Sequence, residues 1–251
     1  MARAALLGRL RRLPWLTATV RETVAETARA RTLVLDVDGW TGHRAGQHLD
    51  VRLTAQDGYQ AERTYSIASA PEEDFVRITV ELVDGGEVSP YLAGELVPGD
   101  VFEIRGPVGG YFTWSADEPG PLLLVAGGAG LVPLMSMLRH RAARDAAVQA
   151  HLLVSARSAE DLLYRDELTS LGPQEGLRVA HTYTREPPPD WTGRSRRIDA
   201  AMLADVSPGP AAKCFVCGPT PFVEVVNDLL VAGGHDPRKV HGERFGPSGG
   251  D

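Results

Sequence analysis

The chain has 251 residues, 43% of them hydrophobic and 24% charged, which is enough for two ordinary domains, each with a buried core. A formal net charge of -7 excludes a general nucleic-acid-binding surface, which must neutralise phosphates, but leaves room for a local nucleotide site. The two cysteines, Cys214 and Cys217, cannot frame a disulfide scaffold or a four-cysteine cluster, and no apolar run reaches membrane-spanning length.

Residues 1–16 form a basic, apolar segment whose apolar stretches are too short for a secretory signal. They read as a frayed basic tail. The other reading is a short helix whose residues 1–13 touch a partner or a membrane surface. The expected location is the cytoplasm.

From 17 to 115 the grammar is β. Segments 17–23, 31–37, 48–54, 63–68, 75–83 and 101–105 are rich in Val, Leu and Thr, and Gly/Pro/Asp clusters separate them. This predicts an antiparallel β-barrel or sandwich, with the β-barrel as the reading taken for the domain, interrupted by one helical stretch at 90–96. Residues 116–121 read as a linker. From 122 to 251 the pattern alternates strand and helix: strands at 122–126, 151–155, 178–183 and 213–217, helices at 133–144, 161–171, 200–203 and 220–232. That alternation predicts an α/β doubly wound parallel sheet.

Five short motifs carry chemistry. Arg63-Thr64-Tyr65-Ser66 offers a cation, an aromatic face and a hydroxyl within four residues; a polar edge strand would carry the same residues. Gly85-Gly86-Glu87-Val88-Ser89 leads into the helical stretch at Pro90, either as an anion-binding turn or as a plain capped turn. Gly106-Pro107-Val108-Gly109-Gly110-Tyr111-Phe112 is a wide glycine loop. Gly127-Gly128-Ala129-Gly130-Leu131-Val132-Pro133 follows a continuous apolar strand and opens a helix, placing bare amides where a pyrophosphate can sit. It is not the Gly-x-Gly-x-x-Gly of dehydrogenases. In Cys214-Phe215-Val216-Cys217-Gly218-Pro219 a metal would lack a second ligand pair, so no metal is expected; Cys217 is read as facing a cleft and Cys214 as core filler.

In this order, with the closing His241-Gly242-Glu243-Arg244-Phe245-Gly246, the motifs resemble the ferredoxin–NADP reductase superfamily over residues 17–246. The resemblance implies a flavin domain and a nicotinamide nucleotide domain. Arg63 and Thr64 would serve the flavin, with Arg63 on its pyrophosphate, Tyr65 on its ring and Ser66 near the nitrogen that accepts hydride. Gly86, Val88 and Ser89 would wrap the pyrophosphate, favouring FAD over FMN. Gly127, Gly128, Gly130 and Pro133 would underlie the coenzyme, with Cys217, Gly218 and Pro219 beside the nicotinamide. Phe245 would shield the flavin and Glu243 would handle protons or hydride, so that Ser66, Cys217 and Glu243 form the catalytic set.

Arg157, Thr184, Arg185 and Arg194 fall where NADP-using relatives place their phosphate-binding residues, which favours NADPH over NADH. With no cluster or haem site in these residues, electrons are expected to leave to a separate redox partner protein: a ferredoxin-like, oxygenase, haem or molybdenum component. The alternatives are a reductase of a small acceptor such as free flavin, a quinone or dioxygen, and a flavin-binding subunit without turnover.

Overall fold

The computed structural model describes residues 13–171 and 176–245. Most of the basic N-terminal segment and Gly246 of the closing motif therefore lie outside the described residues.

The first half folds into six antiparallel strands: β1 (Leu16–Thr27), β2 (Ala30–Val37), β3 (His48–Thr54), β4 (Gln60–Ser66), β5 (Val76–Glu81) and β6 (Val101–Val108). Their order is β4-β3-β6-β1-β2-β5. The two edge strands approach each other where Ile67 bridges Ile78 and the Ala68 amide donates to the Arg77 carbonyl at 2.7 Å, curling the sheet into a barrel. Alternate residues fill it: Leu33, Leu35, Leu49, Val51, Ile78 and Ile104 have no solvent exposure. Val88, Leu92 and Leu96 plug one end. The expected helix at 90–96 is a single π-helical turn, Tyr91–Glu95, because only this plug needs burying there.

The second half is a parallel sheet of β7 (Leu122–Gly127), β8 (Ala150–Ser158), β9 (Leu177–Glu186), β10 (Lys213–Pro219) and β11 (Val240–Phe245). The order is β11-β10-β7-β8-β9. The chain starts at the centre, winds outward and returns, so β7 and β10 flank a switch point, where such sheets bind ligands. Helices cover both faces: α1 (Leu131–Ala143) and α2 (Arg165–Leu171) on one, α3 (Ala200–Val206) and α4 (Thr220–Ala232) on the other. Every residue of β7 is buried, with Leu122, Leu124 and Ala126 facing α1 while Leu123 and Val125 face α4.

Two elements differ from expectation. The helix expected at 161–171 begins only at Arg165, because Tyr164 takes a left-handed backbone angle (φ 53°) that no helix can contain. The closing segment forms β11, parallel to β10, which its Gly242 and scattered polar residues did not signal.

Phe215 on β10 joins the two halves. It is fully buried, meets Phe112 edge-on at 5.2 Å and stacks on His241 at 5.1 Å. Replacing Phe215 with Ala removes an anchor shared by both domains and is expected to cost about 3–5 kcal/mol of stability, readable by urea unfolding.

Candidate functional site

Two clefts meet between the halves, and Glu81, Ala129 and Phe245 line both. The first, of about 770 Å³, runs along β4 and is lined by Arg63, Thr64, Tyr65 and Ser66, with His48, Asp50, Glu62 and Arg105 beside them. Because β4 is an edge strand, residues of both parities border the cleft, although their side chains alternate.

Each predicted group has its own environment. The Arg63 guanidinium donates to the Glu62 carbonyl at 2.8 Å and pairs with Glu87 at 3.0 Å, while Thr64 donates to Asp50 at 2.8 Å. Tyr65 is half-buried, and burial pushes its hydroxyl up to about 12 despite the opposing charge of Arg63. It is therefore a neutral aromatic surface. Ser66 is 5% exposed and its Oγ has no hydrogen-bond partner. A buried hydroxyl without a partner costs free energy unless a ligand supplies one, and this one stands in the cleft wall. These donors, together with the cleft's size, fit a flavin.

Gly86, Val88 and Ser89 do not line this cleft. Val88 belongs to the barrel core, and the Ser89 hydroxyl accepts from the Val83 amide at 3.0 Å.

On the opposite wall, Glu243 comes from β11. Burial lifts its carboxyl from an ordinary 4.5 to about 7. His48 stands 4.0 Å away, and burial lowers its imidazole towards the uncharged form. Cys217 pairs with Glu243 across β10 and β11, is fully buried, and borders neither cleft. Burial, then the Glu243 charge, push its thiol well above the ordinary range, so it remains protonated. It underlies the cleft as a neutral, polarisable group. Cys214 points to the other face of the sheet, with its Sγ 3.4 Å from His235 Nδ1.

The second cleft, about 290 Å³, opens at the switch point and is lined by Gly127, Gly128, Ser155, Arg157, Asp161, Thr184 and Pro219. Gly128 has φ 55°, and a Cβ on Gly130 would run into the Cys217 backbone, so only glycines let α1 begin this close to β10. No side chain caps α1; its Leu131 amide donates back to the Gly128 carbonyl and Pro133 has no N–H, so it is the glycine turn itself that faces the cleft. Gly130, Pro133 and Gly218 shape this turn from behind without lining either cleft.

The arginines divide. Arg157 lines the second cleft, whereas Arg194 pairs with Asp205 on α3 and Arg185 lines neither cleft.

The residues that sequence reasoning missed are His48, Asp50 and Arg105 in the first cleft, and Arg29 and Glu81 in the second. A signal existed for the first group: His48, Asp50 and Arg52 alternate with Leu49, Val51 and Leu53, marking one polar face of β3. Only the register, with His48 opposite Ser66 and Asp50 opposite Thr64, puts that face at the cleft.

Comparison with known proteins agrees with this geometry. Residues 16–113 match the family model of an oxidoreductase FAD-binding domain, and residues 124–228 match that of an oxidoreductase NAD-binding domain. The chain is 36% identical over 239 residues to ferredoxin–NADP reductase B of Sorangium cellulosum, covering 92% of this chain and 93% of that protein. It is 32% identical over 211 residues to a glycine betaine monooxygenase reductase subunit of Pseudomonas aeruginosa, covering 82% of this chain but 57% of the relative. Among solved structures, a cytochrome P450 reductase of Amycolatopsis superposes with a TM-score of 0.82 at 29% identity, covering 94% of this chain and 71% of that one.

The raised Glu243 carboxyl carries a pH signature. A folded value above the unfolded one means the burial costs nothing at low pH and destabilises progressively as pH rises through about 7. Measured against Glu243→Gln, the wild-type Tm is expected to fall between about pH 5 and about pH 8. Parallel Tm curves would show that the carboxyl does not titrate there.

Proposed function

The chain belongs to the ferredoxin–NADP reductase family of NAD(P)H-dependent flavin oxidoreductases, and from that premise we propose that it takes electrons from NADPH and passes them through FAD to a separate redox protein. A bound flavin supplies the conversion between a two-electron donor and a one-electron acceptor. The chain's own residues bind, orient and shield.

In this reading Arg63 neutralises the flavin pyrophosphate and exchanges part of its bond to Glu87 for it. Tyr65 offers a neutral aromatic face, and Ser66 supplies its unpartnered hydroxyl at the ring edge. Gly86, Val88 and Ser89 hold the turn beside Arg63, with Ser89 fixing the Val83 amide. Phe245, at the wall common to both clefts, covers the junction where coenzyme and flavin meet. Glu243, whose carboxyl titrates at about 7, can hold or release a proton there, and the protonated Cys217 lies beside it on β10. The glycine turn at Gly127 and Gly128, which lines the second cleft ahead of α1, receives the coenzyme pyrophosphate.

The choice of NADPH is carried by one observation: Arg157 and Thr184 line the coenzyme cleft together, a cation and a hydroxyl suited to a ribose 2′-phosphate. Arg194 is engaged with Asp205 and lends less to that argument than its sequence position suggested. A separate protein acceptor is favoured by the relatives, whose names include reductases serving a ferredoxin, a monooxygenase and a P450. Among the described residues no helix is long and apolar enough to cross a membrane. We place the protein in the cytoplasm.

The purified protein is expected to be yellow and to bleach anaerobically with NADPH. A colourless protein that FAD cannot reconstitute would sink the proposal. Arg157→Ala should raise KM for NADPH by roughly tenfold or more while KM for NADH moves less than about twofold. Equal losses with both coenzymes would refute the NADPH assignment.

A further inference from the structure

Tyr164 stands at the join between the domains, 3% exposed, in a left-handed conformation that a tyrosine rarely adopts. The segment leading to it lines the coenzyme cleft through Arg157, Asp161 and Leu163. The Tyr164 ring packs in the core cluster of the nucleotide domain, and its hydroxyl reaches the barrel.

There the hydroxyl meets Thr79 Oγ1 on β5. Thr79 Oγ1 lies 2.7 Å from Thr32 Oγ1 on β2, and the Thr32 hydroxyl donates to Glu26 Oε1 on β1 at 2.6 Å. The other oxygen of Glu26 accepts from the Tyr164 amide at 3.3 Å. Three strands of one domain and one loop of the other therefore close a ring of hydrogen bonds.

The direction of the ring is fixed by proton count. Each hydroxyl has one proton to donate. Thr32 spends its proton on Glu26, so it accepts from Thr79, which in turn accepts from Tyr164. The Tyr164 proton is thus committed to Thr79. Arg139 lies 4.9 Å above the ring and donates to the Ala68 carbonyl at 2.7 Å, holding the tyrosine from its other side.

Thr79 is also part of the wall of the larger cleft. We propose that Tyr164 is a positioning residue for the transfer between coenzyme and flavin: through Thr79 it fixes the wall of the flavin cleft against the segment that leaves β8 just after Arg157. Transfer between two bound cofactors depends steeply on their separation, and displacement by about 1 Å can cost on the order of a hundredfold in rate. A hydroxyl that sets this separation should alter rate more than affinity.

The experiment is anaerobic stopped-flow reduction of the FAD-loaded protein. Tyr164→Phe keeps the ring and the Arg139 contact but removes the proton given to Thr79. Its limiting rate of flavin reduction is expected to fall roughly tenfold, with the half-saturating coenzyme concentration unchanged within about twofold. Thr79→Val should show the same loss, Thr79→Ser should restore the rate, and Tyr164→Phe with Thr79→Val should be no slower than either alone. Leu171→Ala, at the buried end of α2 and outside the hydrogen-bonded ring, should lower Tm and leave the rate. The proposal is overturned if Tyr164→Phe reduces at the wild-type limiting rate, if Thr79→Val and Thr79→Ser behave alike, or if Leu171→Ala slows reduction equally. It rests on the flavin reductase activity, whose own failure is a colourless or unbleachable wild-type protein.

Discussion

The Ala68 and Ser69 carbonyls lie just past the point where the barrel closes at Ile67 and Ile78. Once buried between domains, backbone oxygens of this kind need partners, and the chain can no longer supply them from a strand. Helix α1 does so instead: Arg139 donates to the Ala68 carbonyl at 2.7 Å and Ser136 to the Ser69 carbonyl at 2.6 Å. Arg139 is itself largely buried and is compensated by a two-pronged contact with Glu167 on α2, at 2.8 and 2.5 Å. The nearby His140 faces Glu72 at 2.9 Å. The position of α1 on the barrel is therefore fixed by groups that would be costly to leave unpaired.

The other end of the same helix makes that constraint matter. α1 starts at the glycine turn beside Cys217, and Val132 in its first turn lines the flavin cleft. Its last turns grip the barrel while its first turn meets both clefts. Any slip of α1 against the barrel would change the distance between the two binding sites. The ring through Tyr164, Thr79, Thr32 and Glu26 adds a second tie, from the nucleotide domain to β1, β2 and β5.

The chemistry of the junction is set by exclusion of water more than by charge pairing. Burial raises the Tyr65, Cys217 and Glu243 groups and lowers His48, each towards its uncharged form. The charged residues Arg63 and Arg157 stand in separate clefts, each suited to a different phosphate group of a bound cofactor. A neutral centre with cations on its flanks suits a transfer of reducing equivalents between two phosphate-bearing molecules.

The sequence by itself determined the two-part architecture and its chemistry. Short β segments between turn residues point to a barrel or sandwich, and the unbroken apolar run 122–126 fits a strand covered on both faces, which it is. Arg63, Tyr65 and Ser66 were legible because they are adjacent in the chain, and Gly127 and Gly128 because they interrupt an apolar strand. Only the tertiary structure decided which distant residues join them. His48 and Asp50 reach the cleft through strand register, Glu243 through the pairing of β11 with β10, and Tyr164 through a reversed backbone that delays the start of the expected helix. It also divided three arginines of equal promise, leaving Arg157 in a cleft and tying Arg194 to Asp205. The physical reason is the same each time. Local pattern fixes which face of an element is apolar, while the partner of a polar side chain depends on how elements far apart in the chain are set side by side.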